Sequence, residues 1–96
     1  ICIDDVQFVE VNGRFLLFHL TDGVVTVHGQ LCHIENDLGR AGFYRCSAQN
    51  MVNLRHIECY DGSAVYVGES KIPVSRRKKE DFFGQLGGVV RRGLPL

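Results

Sequence analysis

The chain has no tryptophan, two prolines, one methionine and no apolar run approaching the roughly 18 residues of a membrane-spanning helix. It also lacks low-complexity tracts, and 45% of its 96 residues are apolar, which excludes a disordered tail and supplies one modest core. There is no room for a second domain, so residues 1–96 are read as a single one, with 87–96 as a tail. No strand-helix alternation with a glycine-rich phosphate loop is present, which argues against a doubly wound nucleotide-binding fold. The chain begins "ICIDD" with neither methionine nor a charged-then-apolar leader, so no signal peptide is expected and a fragment of a longer protein is.

Enzymatic and metal-binding patterns are equally scarce. Asp4-Asp5 are neighbours, and neighbours on a strand face opposite ways, so they read as the solvated start of a strand rather than a carboxylate dyad. His19, His28, His33 and His56 lack the nucleophile and orienting partner of a hydrolase, so catalysis is not expected. Cys2, Cys32, Cys46 and Cys59 each lie in or beside an apolar run, the pattern of free thiols in a reducing cytoplasm. Two disulfides or a zinc site built from Cys32, His33, Cys46, His56 and Cys59 are the alternatives, the second weakened by the absence of any C-x-x-C pair. No cofactor is expected.

Net charge is also lacking, with 11 Lys and Arg against 11 Asp and Glu, but the charges are unevenly spread. Residues 1–69 hold four basic and nine acidic residues, while residues 70–96 hold seven basic and two acidic. Local potential decides anion binding more than the sum does.

What is present is mostly β pattern. "VQFVEV", Asn12-Gly13 and "RFLLFHL" form a first hairpin signal, and Thr21-Asp22-Gly23 turns the chain into "VVTVHG" for a three-stranded antiparallel meander. Within "QLCHIENDLGRAG", Leu31, Ile34 and Leu38 fall at i, i+3 and i+7, which predicts a short helix stopped by Gly39 or Gly42. "FYRC" returns to extended structure, "SAQN" is a loop or single turn, and "MVNLRHIECY" reads as one strand that turns at Asp61-Gly62 into "SAVYVGE". Gly68 permits a further turn into "KIPVS", where Pro73 confines the strand to an edge or an end. A closing helix is expected from about Arg76 to Leu86, capped by Ser75 and burying Phe82, Phe83 and Leu86.

That helix start carries Arg76, Arg77, Lys78 and Lys79 where a helix dipole disfavours cations, each costing about 0.3–1 kcal/mol. Pairing of Arg76 with Glu80 and of Arg77 with Asp81 would offset only about 0.2–0.5 kcal/mol each and leaves both lysines unexplained. Ser75, free N–H groups and four cations instead make a site for phosphate oxygens. Arg14 at the first hairpin tip, and Arg45, Ser47, Gln49 and Asn50 in the central loop, add polar groups able to read base edges.

These residues carry a family resemblance. "FYRCSAQNMVNLRHIE" resembles the LytTR segment Phe-x-Arg-x-His-x-Ser-x-x-Val-Asn-x-x-x-Ile, "IPVSRR" resembles its downstream (I/V)-P-V-S-R-R, and "IDDVQFVEVNGRFLLFHLTDG" is similar to its first three strands. The resemblance covers about residues 3–86 and implies a mainly β fold of elongated antiparallel sheets with two short helices. It further implies a cytoplasmic, bacterial DNA-binding output domain that reads successive major grooves with loops. Such domains sit behind a receiver, PAS or other sensor module and bind paired promoter repeats, with a possible homodimer on DNA and no membrane association. Carried over by position, the contacts are Asn12 and Arg14, the loop after Arg45, and Ser75 to Lys78, with Arg77 for a base and Ser75 for phosphate. The family's His-x-Ser stands here as Ser47-Ala48-Gln49, so either Ser47, Gln49 and Asn50 take over its contact or the loop acts through backbone N–H groups. Val52 and Asn53 match and read as structural. The rival readings are a protein-interaction or dimerisation module whose basic turn docks an acidic partner, and a metal or redox sensor using Cys and His.

Overall fold

The computed structural model describes residues 2–60, 63–78, 81 and 82. Strands β1 (Val6–Asn12), β2 (Phe15–Leu20), β3 (Gly23–His28), β4 (Phe43–Ser47) and β5 (Asn50–Asn53) form one antiparallel sheet in the order β3-β2-β1-β5-β4. Strands β6 (Cys59–Tyr60), β7 (Ala64–Val67) and β8 (Ser70–Pro73) form a second, in chain order. The α-helix whose whole span is described is α1 (Leu31–Arg40). The molecule measures 39 × 29 × 22 Å.

The β1, β5 and β4 part of the larger sheet is covered on both faces, whereas β3 is mostly exposed, and side-chain alternation explains the two-sided cover. Val9 and Met51 face α1 in a cluster with Val6, Leu16, Leu31, Leu38 and Phe43. Their neighbours Phe8 and Val52 face the smaller sheet in a cluster with Cys46, Ile57, Val65, Val67, Ile72, Val74 and Phe82. Val6 and Phe8 are two apart yet serve opposite clusters, because a register shift in β1 falls between them. Two-sided burial accounts for the near-continuous apolar runs of the central strands.

The meander forms as expected, with one refinement. Asn12 pairs with Phe15, so the two central turn positions are Gly13 and Arg14, and Gly13 supplies the positive φ of 63°. Leu31 and Leu38 are buried and Ile34 is half-buried, which satisfies the i, i+3, i+7 pattern of α1. The chain leaves the helix through Gly42 at φ 97°, a left-handed position suited to glycine. Pro73 ends β8, the outer strand of its sheet, where no ladder donor is missed.

Three expectations need correction. The run from Met51 to Tyr60 is not one strand: β5 ends at Asn53, a 3-10 turn covers Leu54–His56, and β6 starts the other sheet. Asn53 makes the break, since its side chain accepts from Arg55 N–H (3.1 Å) while its amide donates to the Val6 carbonyl (2.9 Å). Asp4-Asp5 lie in a 3-10 turn, Ile3–Asp5, rather than at the start of a strand. The cation-rich segment Arg76–Lys78 is likewise a 3-10 turn, closed by a hydrogen bond from Lys78 N–H to the Ser75 carbonyl, and not the first turn of an α-helix. Asp81 and Phe82 have helical backbone, and Phe82 is buried as expected. The remainder of the expected closing helix, with Phe83 and Leu86, and the Asp61-Gly62 turn lie outside the described residues.

Candidate nucleic-acid interface

Strand direction gathers the polar loops at one end of the larger sheet. β1 runs toward its tip at Asn12, and β5 runs antiparallel from Asn50, which pairs with Glu10. The β1–β2 tip and the β4–β5 turn are therefore neighbours, joined by a 2.8 Å hydrogen bond from Val11 N–H to the Gln49 carbonyl. The basic turn is tied to the same end: Ser75 N–H donates to the Cys46 carbonyl at 2.8 Å, one residue before Ser47.

Between the β4–β5 turn, the basic turn and α1 lies a cleft of about 460 Å³, lined by Glu35, Arg45, Ser47, Ala48, Ser75, Arg77 and Lys78. Five expected contact residues from two separate segments thus share one concavity. Arg76 and Arg77 are exposed, and among the described residues neither has an ion pair. The expected partner of Arg77 is engaged elsewhere, since Asp81 accepts a hydrogen bond from the Tyr44 hydroxyl. Lys78 is half-buried, its ammonium 5.7 Å from the centre of the Tyr44 ring, a cation–π contact that holds its charge at the cleft edge.

Tyr44 packs against Phe82 with ring centres 4.9 Å apart and so braces the basic turn from below. Burial, then the Asp81 carboxylate, push the Tyr44 phenol up to about 12. Burial likewise raises the Cys46 thiol to about 12, only partly opposed by a backbone hydrogen bond from Val52 and then by Lys78, so Cys46 behaves as a core residue. Cys2 and Cys32 are exposed free thiols. Among the described residues no group of three His, Cys, Asp or Glu is arranged to hold a metal ion.

The remaining site residues fall as follows. Asn12 and Arg14 are exposed at the tip, and Arg14 borders a second concavity of about 620 Å³ with His28, Gln30 and His33. Gln49 is exposed, while Ser47 and Asn50 are half-buried and shape the turn: the Ser47 hydroxyl accepts from Gln49 N–H (3.2 Å) and from the Asn50 amide (3.3 Å). Arg45 lies on the α1 side with 20% of its side chain exposed, bound to Glu35. Lys79 lies outside the described residues. Sequence reasoning passed over Glu35 and Tyr44. Their only signals were a carboxylate at the flank of the α1 apolar stripe and an aromatic beside the Arg45 position, neither of which indicates the cleft by itself.

A sequence model of the LytTr DNA-binding domain matches residues 1–87. No curated protein matches the chain. Among solved structures, the LytTr DNA-binding domain of a Bacillus cereus protein described as a methyl-accepting/DNA response regulator superposes with a TM-score of 0.74 at 20% identity. That likeness covers 92% of this chain and 85% of the other, and it concerns the fold. With the family pattern matched from residue 1 to residue 87, the chain belongs to the LytTr family of DNA-binding domains.

Proposed function

We propose that this domain binds double-stranded promoter DNA sequence-specifically, as the cytoplasmic output module of a bacterial transcriptional regulator, and performs no catalysis. The observation that carries this reading is the cleft in which Arg45, Ser47, Ser75, Arg77 and Lys78 meet, next to the Asn12–Arg14 tip. Arg76, Lys78 and Lys79 supply phosphate contacts with Ser75, and these set affinity and register. Arg77, Gln49, Asn50, Asn12 and Arg14 read base edges in the major groove, Arg toward guanine and Gln or Asn toward adenine. Paired repeats and a sensor or receiver domain linked N-terminally complete the arrangement, two copies meeting on DNA.

The test is selection of bound sites from random duplexes, followed by affinity measurements against the selected and a scrambled duplex at several salt concentrations. Arg77→Ala should weaken the selected site by about 1–3 kcal/mol and relax one base position. Lys78→Ala should weaken both duplexes alike and lower the salt slope by about one. Absence of any selected sequence, or unchanged affinity in both variants, would refute the proposal.

A further inference from the structure

Arg45 is the best-anchored cation of the site. Its Nε donates to the Ser47 carbonyl (2.9 Å), its Nη2 to the Ala48 carbonyl (2.8 Å) and its Nη1 to Glu35 Oε1 (2.5 Å). A guanidinium offers five N–H groups in one rigid plane, and here all three of its nitrogens are committed to internal acceptors. Two of those acceptors are consecutive carbonyls of the β4–β5 turn, and the third is a carboxylate on α1.

Consecutive carbonyls held by one plane fix two peptide planes. Because a trans peptide is flat, with N–H and C=O on opposite sides, drawing the Ser47 carbonyl toward Arg45 aims the Ala48 N–H away from it. Ala48 is exposed and has no polar side chain, so that N–H is what this residue can present to a ligand. The direction also matters for Gln49, whose side chain leaves the same turn. Turn geometry is therefore set by a strut running from the helix through the guanidinium to the backbone.

We infer that Glu35 and Arg45 are positioning residues for DNA reading: Glu35 anchors Arg45, Arg45 orients the β4–β5 turn, and neither touches DNA. The inference rests on the DNA-binding reading above and assigns α1 a part in specificity. Glu35 has a second effect of opposite sign. Its carboxylate lies in the cleft with Arg77 and Lys78, where it repels any incoming phosphate whatever the sequence. Its removal should thus cost sequence discrimination while leaving general affinity unchanged or raised.

The experiment measures, for the 96-residue chain, the ratio of affinities for the selected and the scrambled duplex, and the salt slope on the scrambled one. The ratio compares two ligands on the same folded fraction, so partial unfolding of a variant does not move it. Glu35→Ala should lower the ratio about tenfold, the size of a lost charge-assisted hydrogen bond. Glu35→Gln, whose amide oxygen still accepts from Nη1, should restore most of it. Arg45→Gln should lower the ratio similarly with no change of salt slope, since a group that touches no phosphate releases no counterion. An unchanged ratio in Glu35→Ala, equal losses in Glu35→Ala and Glu35→Gln, or a slope reduced by about one in Arg45→Gln would overturn the inference. If the unaltered chain bound no duplex, the DNA-binding reading itself would fall, a result distinct from these.

Discussion

Asn53→Ala separates the architecture from the interface. Asn53 is 1% exposed, the one buried polar residue among those described, and it stands where β5 ends and the chain crosses to the second sheet. Its amide donates to the Val6 carbonyl at 2.9 Å, which locks β5 to the start of β1, and its oxygen accepts from Arg55 N–H at 3.1 Å, which caps the 3-10 turn. Deleting the amide leaves the Val6 carbonyl without that donor in a site closed to water, at about 1–3 kcal/mol. The lost cap adds about 1 kcal/mol, less if water reaches the Arg55 N–H. A loss of about 2–4 kcal/mol is a large share of the stability of a small domain, and at about 4–8 °C per kcal/mol it lowers Tm by about 8–32 °C. Urea unfolding followed by circular dichroism should show a lower midpoint with an unchanged slope. Asn53→Asp keeps the acceptor but sets a carboxylate against the Val6 carbonyl, and should be at least as damaging. A loss below about 0.5 kcal/mol in Asn53→Ala would refute the view that this side chain ties β5 to β1 and caps the turn that leads to the second sheet.

Two further outcomes follow from the same geometry. The Cys46 thiol is raised from 9.0 to about 12, so the folded state keeps a proton that the unfolded chain releases, and stability should fall as pH climbs from about 9 toward 12. Cys46→Ala should flatten part of that decline, and alkylation of the native chain near pH 8 should modify Cys2 and Cys32 while sparing Cys46. Gly13→Ala meets no atom within 4 Å but must adopt φ 63°, so thermal unfolding should show a loss of about 1–2 kcal/mol, arising from backbone strain rather than crowding.

Local rules carried the meander, α1 and the edge position of Pro73, because each depends on neighbours in the chain: a glycine in a tight turn, apolar spacing on a helix, a missing donor in a strand. They failed between Met51 and Tyr60, where extended propensity continues but the strand does not. The break depends on Asn53 reaching a carbonyl 47 residues away, which no local window contains. They also turned the cations of Arg76–Lys78 into a helix start, although the segment is a 3-10 turn hung from Cys46.

The sequence by itself pointed to a mainly β fold with an acidic body and a basic C-terminal segment, and it carried enough of a family pattern to point toward DNA. Only the tertiary structure decided which polar groups share a surface. Antiparallel pairing places the β1–β2 tip beside the β4–β5 turn, and one hydrogen bond from Ser75 to Cys46 brings the basic turn to the same end. It also separated the free cations from the held one. Arg76 and Arg77 stand exposed without ion pairs among the described residues, while Arg45, of the same residue type, has all three nitrogens bound to internal acceptors. Composition fixes how many cations a chain has, whereas their availability to a ligand depends on acceptors brought near by folding.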